Sequence, residues 1–132
     1  MKSLTKSKQR VKKFGEVFTP QELVLQILDK LPDASWESNK TFLEPACGTG
    51  NFIVEILQRK IDNGTKPLQA LSTTYGIDIM EDNIDECRKR VLQICIDNGL
   101  KEKDLAEANS IIKRNIIVGN ALELDIDKLW ND

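Results

Sequence analysis

Phe42-Leu43-Glu44-Pro45-Ala46-Cys47-Gly48-Thr49-Gly50-Asn51-Phe52 decides how the rest of the chain reads. A short apolar run, Thr41-Phe42-Leu43, reads as a strand. It ends in an acid and breaks into a turn that needs glycine's backbone freedom at Gly48 and Gly50. A helix is expected at once, over residues 51–62, with Phe52, Ile53, Ile56, Leu57 and Ile61 recurring on its inner side. Asn63-Gly64 ends it. A strand, a glycine turn and a helix in that order make one half of a βαβ unit.

Working outward, the same alternation repeats. Thr19-Pro20-Gln21-Glu22 reads as a capping box, with Thr19 as cap and Pro20 at the first helical position. Leu23, Val24, Ile27, Leu28 and Leu31 follow at helical spacing, and Pro32 stops the run. Residues 65–73 are a loop or a short helix. Tyr75-Gly76-Ile77-Asp78-Ile79 is expected as a second strand. A helix over about 82–98 carries Ile84, Cys87, Val91, Ile94 and Cys95 inward. One more short helix fits the charged stretch 101–110. Ile116-Ile117-Val118 is a third strand, followed by Gly119-Asn120-Ala121-Leu122 and an acidic tail. Alternating strands and helices predict an α/β fold with a parallel sheet and right-handed crossovers. Ligands of such sheets bind at the carboxyl ends of the strands.

Composition narrows the chemistry. The 132 residues are 40% hydrophobic and 30% charged, as in an ordinary single domain. There is no histidine, and Cys47, Cys87 and Cys95 have no metal-ligand spacing, so neither a zinc site nor histidine-based catalysis is expected. Cys47 is expected as a small space-filler. No apolar run reaches membrane-spanning length and no signal-peptide pattern is present, so a cytoplasmic, reducing setting is expected. Residues 1–13 hold six basic side chains, while all 21 acids lie beyond them. This flexible arm is either a solvated tail or a contact for a polyanion such as DNA.

The strand ends supply the ligand chemistry. The chain has no Gly-x-x-x-x-Gly-Lys-Ser/Thr phosphate loop. In the dinucleotide pattern the third glycine would fall at Ile53. Glu44 instead offers a negative group to a cationic ligand. S-adenosylmethionine (SAM) carries an ammonium and a sulfonium and fits that offer, with Gly48 and Gly50 clearing side chains from its path. Asp78 can accept ribose hydroxyls. Asn120 can accept from an adenine amino group, or it can be a turn residue bonding its own backbone.

Phe18-Thr19-Pro20, Glu44 to Phe52, Gly76-Ile77-Asp78-Ile79 and Gly119-Asn120-Ala121-Leu122 together resemble the N-terminal part of N6-adenine DNA methyltransferases of restriction–modification systems. The resemblance covers about residues 14–125. It implies a partial Rossmann-like methyltransferase fold of about three parallel strands with flanking helices, with residues 14–132 as one truncated SAM-binding domain. It also implies roles. Phe18, Thr19 and Pro20 would lie against the methionine part of SAM. Glu44, Pro45, Ala46, Cys47, Gly48, Gly50, Asn51 and Phe52 would hold its methionine end. Asp78 would bind the ribose and Ile79 the adenine face. Asn120, with Ala121 and Leu122, would meet the adenine edge, where the family more often has Asp.

The family's Asn/Asp-Pro-Pro-Tyr/Phe motif, which holds the flipped adenine, is absent, since no Pro-Pro occurs in these residues. No catalytic residue is therefore assigned, and these residues alone are not expected to methylate DNA. A SAM-binding accessory protein and a SAM-consuming enzyme of another kind remain as alternatives. With no fourth strand beside it, the first strand is expected at an open edge, inviting self-association or a partner chain.

Overall fold

The computed structural model describes residues 19–130. The basic arm and Phe18 lie outside the described residues. The fold is α/β, with one sheet of three parallel strands: β1 (Phe42–Glu44), β2 (Thr74–Asp78) and β3 (Ile116–Val118), in the order β1-β2-β3. Among the described residues six α-helices accompany them: α1 (Gln21–Asp29), α2 (Asn51–Asp62), α3 (Pro67–Ser72), α4 (Glu81–Asp97), α5 (Leu105–Asn115) and α6 (Ile126–Leu129). The partial Rossmann-like arrangement expected from the sequence is present.

The strand registers decide which residues share a face. Phe42 pairs with Thr74, Glu44 with Gly76, and Gly76 with Ile116, so these point to one side. On that side Ile53, Leu57, Ala70, Leu71, Ile84, Cys87, Val91, Cys95, Ala108 and Ile112 close a core with Ile116. A second cluster joins α1 to α2 through Val24, Leu28, Trp36 and Ile56, with Phe42 and Phe52 against it. Two successive right-handed crossovers in one direction put their helices on the same face. The opposite face carries Leu43, Tyr75, Ile77 and Ile117. The chain after β3 returns over it: Trp130 lies 4.6 Å from Tyr75, ring centre to ring centre, and its indole N–H donates to Arg114 O. Leu43 remains 39% exposed on β1, which forms a sheet edge among the described residues.

Local expectations held with two corrections. The start of α1 is not a side-chain capping box. Pro20 is the cap residue, its carbonyl accepts from Leu23 and Val24, and no side chain caps the end. Thr19 is instead committed to Asn51, as described below. The helix expected within 101–110 is a 3-10 turn (Glu102–Asp104) followed by eleven residues of α5 that run straight into β3. Ala108 and Ile112 bury it, and the buried Asn115 amide donates to Leu71 O at 2.9 Å.

Lys60 of α2 is not among the residues singled out in the sequence. It is fully buried, 5.0 Å above the Phe42 ring, and its ammonium donates to Lys40 O at 2.8 Å and to the carbonyl and hydroxyl of Thr73. It thereby ties α2 to the start of β1 and the end of α3. Burial pulls its pKa down from 10.5 to about 8. The folded state then holds the proton less tightly than the unfolded chain, so this group's contribution to stability rises as pH climbs from about 8 to 10.5. Comparing denaturant midpoints of the parent and Lys60→Met across that window should show the parent gaining on the order of 2 kcal/mol that the variant does not gain. Parallel pH profiles would refute the assignment.

Candidate functional site

β1 ends in Glu44 and β2 in Asp78, and the loop between β1 and α2 folds back across both ends. The Glu44 carboxylate accepts the Ala46 N–H at 3.1 Å, which tightens the turn just after the strand. Cys47 N–H donates to Ile77 O at 2.8 Å, continuing the β1–β2 ladder into the loop. Gly48 has a φ of +55° and its N–H donates to Asp78 Oδ1 at 3.1 Å. Asp78 Oδ2 accepts from Met80 N–H and from the Asn83 amide, both at 3.0 Å. One carboxylate thus joins the loop, the end of β2 and the first turn of α4.

Gly50 performs a different task from the one its motif suggests. It caps α2 at φ +96°, and a Cβ built there would stand 2.7 Å from Cys87 Sγ. Its missing side chain lets the loop sit against α4 in the interior, and does not clear a path for a ligand. Cys47 is buried as expected of a space-filler. Its pKa is raised, first by hydrogen bonding with the Cys87 side chain and then by burial, which disfavours the thiolate.

A cavity of about 100 Å³ opens beside this loop, lined by Thr19, Glu44, Ala46, Cys47, Gly48, Thr49, Asn51 and Phe52. Seven of these eight are residues singled out in the sequence, and Thr49 is the addition. Drug-sized ligands occupy pockets of about 300–1,000 Å³, so this cavity accepts one end of such a molecule. One carboxylate, one amide and the polar backbone of a glycine turn suit a small cationic or zwitterionic group, which the amino-acid end of SAM is. The rest of a longer ligand would run past Asp78 and Ile79, the latter 42% exposed at the end of β2.

The structure does not bring the remaining candidates into that cavity. Pro20 and Pro45 are exposed outside it. Gly119 N–H donates to Asp78 O at 2.9 Å, so the segment after β3 starts beside Asp78. Asn120 follows as a turn residue: its Oδ1 accepts Leu122 N–H at 3.0 Å, and its carbonyl accepts from Glu123 and Leu124. Ala121 is half-buried, and Leu122, 95% exposed, forms no wall of the cavity. Sequence reasoning missed two groups that hold the site together, Asn83 and Arg90. Both lie on α4: Arg90 reaches Thr49 and Asn51 across the fold, and Asn83 donates to the Asp78 carboxylate at the end of β2. Among the described residues no cluster of acidic, cysteine or histidine side chains could hold a metal ion, and no helix is long and apolar enough to cross a membrane.

Comparison with known proteins bears on the same residues. The chain matches the family model described as N-6 DNA Methylase over residues 3–120. The Type II methyltransferase M.VspI of Vibrio sp. (strain 343) is 33% identical over 104 residues, which take in 77% of this chain and 23% of that protein. The matched stretch is thus less than a quarter of the relative's length. No solved structure matches the chain. The family match runs through the loop after β1, the Asp78 strand end and Asn120, the three places where the sheet presents polar groups. On that match, the chain belongs to the N-6 DNA methylase family.

Proposed function

We propose that these residues form the SAM-binding portion of an N6-adenine DNA methyltransferase, with the adenine-holding groups supplied by further residues or by another chain. The observation that carries this reading is the convergence of Glu44 and the Gly48 turn on a cavity whose other wall is Thr19, with Asp78 outside the lining but bonded to that turn through the Gly48 N–H. SAM, when bound, supplies an electrophilic methyl group on sulfur. Glu44, Asn51 and the loop backbone would hold its amino-acid end, and Asp78 would take the ribose. The Asp78 carboxylate has about four acceptor positions and already serves three donors. One hydroxyl can therefore be added without loss, and a second would replace an existing bond. The Asn120 Oδ1 already accepts the Leu122 N–H and keeps one further acceptor position, so an adenine amino group could bond it without breaking that turn.

Calorimetric titration of the purified chain with SAM tests the core of this reading, and absence of a binding isotherm would end it. A methylation assay on adenine-containing duplex DNA tests the other half: the expected result is no transfer by the 132 residues alone. Transfer by these residues alone would show that the adenine-holding groups are present after all.

The open edge of β1 extends the proposal to a partner. A parallel strand edge with unpaired N–H and C=O groups favours pairing with a further strand. Size-exclusion chromatography at rising concentration should show self-association, or a complex once a partner segment is added. A monomer at every concentration that ignores all added segments would count against it.

A further inference from the structure

The cavity has two walls that are far apart in sequence, Thr19 before α1 and the loop Glu44–Gly50 after β1. Asn51 bridges them, since its amide nitrogen donates to Thr19 O at 2.7 Å. A side-chain amide can turn either its oxygen or its nitrogen toward a neighbour. Here the choice is made by Arg90, half-buried on α4. Its Nη1 donates to Asn51 Oδ1 at 2.8 Å and to Thr49 O at 2.9 Å. A guanidinium has donors only, so it accepts nothing but the oxygen side of the amide, and the nitrogen must face Thr19. The same cation grips the carbonyl just before Gly50, where the backbone turns through a positive φ. Arg90 itself does not line the cavity.

We propose that Arg90 is a positioning residue for the amino-acid end of the methyl donor, acting through Asn51 and the Thr49 carbonyl to hold both walls at the right separation. This rests on the SAM-binding reading above and adds to it a residue outside the cavity and the end of the ligand that it governs. Without the guanidinium, Asn51 is free to flip, and the bond from its amide nitrogen to Thr19 O is lost. Arg90→Lys keeps the charge but lacks the planar set of donors that serves two acceptors at once, so it should restore only part of the effect.

The test compares two ligands by calorimetry: SAM, and 5′-methylthioadenosine, which has the same adenosine but no amino-acid end. Arg90→Met should weaken SAM about tenfold, the loss of one charge-assisted hydrogen bond, and leave 5′-methylthioadenosine unchanged. Arg90→Lys should weaken SAM about threefold. In an Asn51→Ala background, Arg90→Met should cost little more, because the two act as a unit. Equal losses for both ligands, or no loss of SAM affinity, would overturn the inference while leaving SAM binding intact. Failure of the parent chain to bind SAM would overturn the proposed function, and this inference with it. If Arg90→Met does not fold, the ratio of the two affinities in Arg90→Lys decides the matter in the same way.

Discussion

Asp78→Ala is expected to abolish detectable SAM binding and to cost the fold about 3 kcal/mol. The affinity loss follows from its place at the end of β2, where its carboxylate accepts the Gly48 N–H of the turn that lines the cavity. The stability loss follows from what the side chain already does. Three donors, the Gly48 N–H, the Met80 N–H and the Asn83 amide, lose their acceptor together. Hydrogen bonds to a charged group contribute about 1.5–3 kcal/mol each, but three that share one carboxylate do not add fully, and a half-exposed site lets water replace part of them. For a domain of this size the melting temperature should fall by roughly 10–15 °C. Asp78→Asn keeps one acceptor oxygen and should cost about half as much. An unchanged melting curve for Asp78→Ala would show that the three bonds carry no weight. An unchanged SAM isotherm would remove Asp78 from the site.

Gly50→Ala is the second substitution with a large expected effect, again near 3 kcal/mol, and for two separable reasons. At φ +96° any L side chain is strained, by about 1–2 kcal/mol. The new methyl would also press on Cys87 Sγ from 2.7 Å in a fully buried part of α4, and overpacking of that kind costs about 1–3 kcal/mol. Gly64→Ala isolates the first reason, since its φ is +100° and nothing lies within 4 Å of the built Cβ. Cys87→Ala isolates the second by removing the sulfur. The double variant Gly50→Ala/Cys87→Ala should therefore be more stable than the sum of its parts predicts by about 1–2 kcal/mol, measured from denaturant midpoints. Strict additivity would mean that the loop and α4 adjust freely and that Gly50 is not held against Cys87.

Both predictions concern residues whose positions were legible in the linear sequence, while their partners were not. Glu44, Gly48, Asn51 and Phe52 line the cavity, because they fall within one short stretch from the end of β1 to the first turn of α2, whose shape is locally encoded. The strand over 116–118 and the helix over 51–62 follow from apolar spacing alone and appear with those bounds. Asn120 shows the limit of local reading. Two roles fitted the same residue, and the Asn120 side chain forms its own turn, a bond made within two residues. Thr19 shows another limit, because a good capping sequence yields when a tertiary partner competes. Its carbonyl goes to Asn51, and the helix starts one residue later than the capping box implies.

By itself, the sequence determined the order and type of the elements, the glycine turn after β1, the acids at the ends of β1 and β2, and the family. All of these depend on residues within a few positions of one another, where periodicity and turn chemistry act. Only the tertiary structure decided that Arg90 orients Asn51, that Asp78 is bonded to Gly48, that Lys60 is buried beneath Phe42, and that α1 to α5 gather on one face while the chain after β3 returns over the other. Each of those requires groups well separated along the chain to meet in space, or a consistent handedness of successive crossovers. No local spacing encodes such a meeting, and it is set by the one packing that satisfies the buried donors and closes the core.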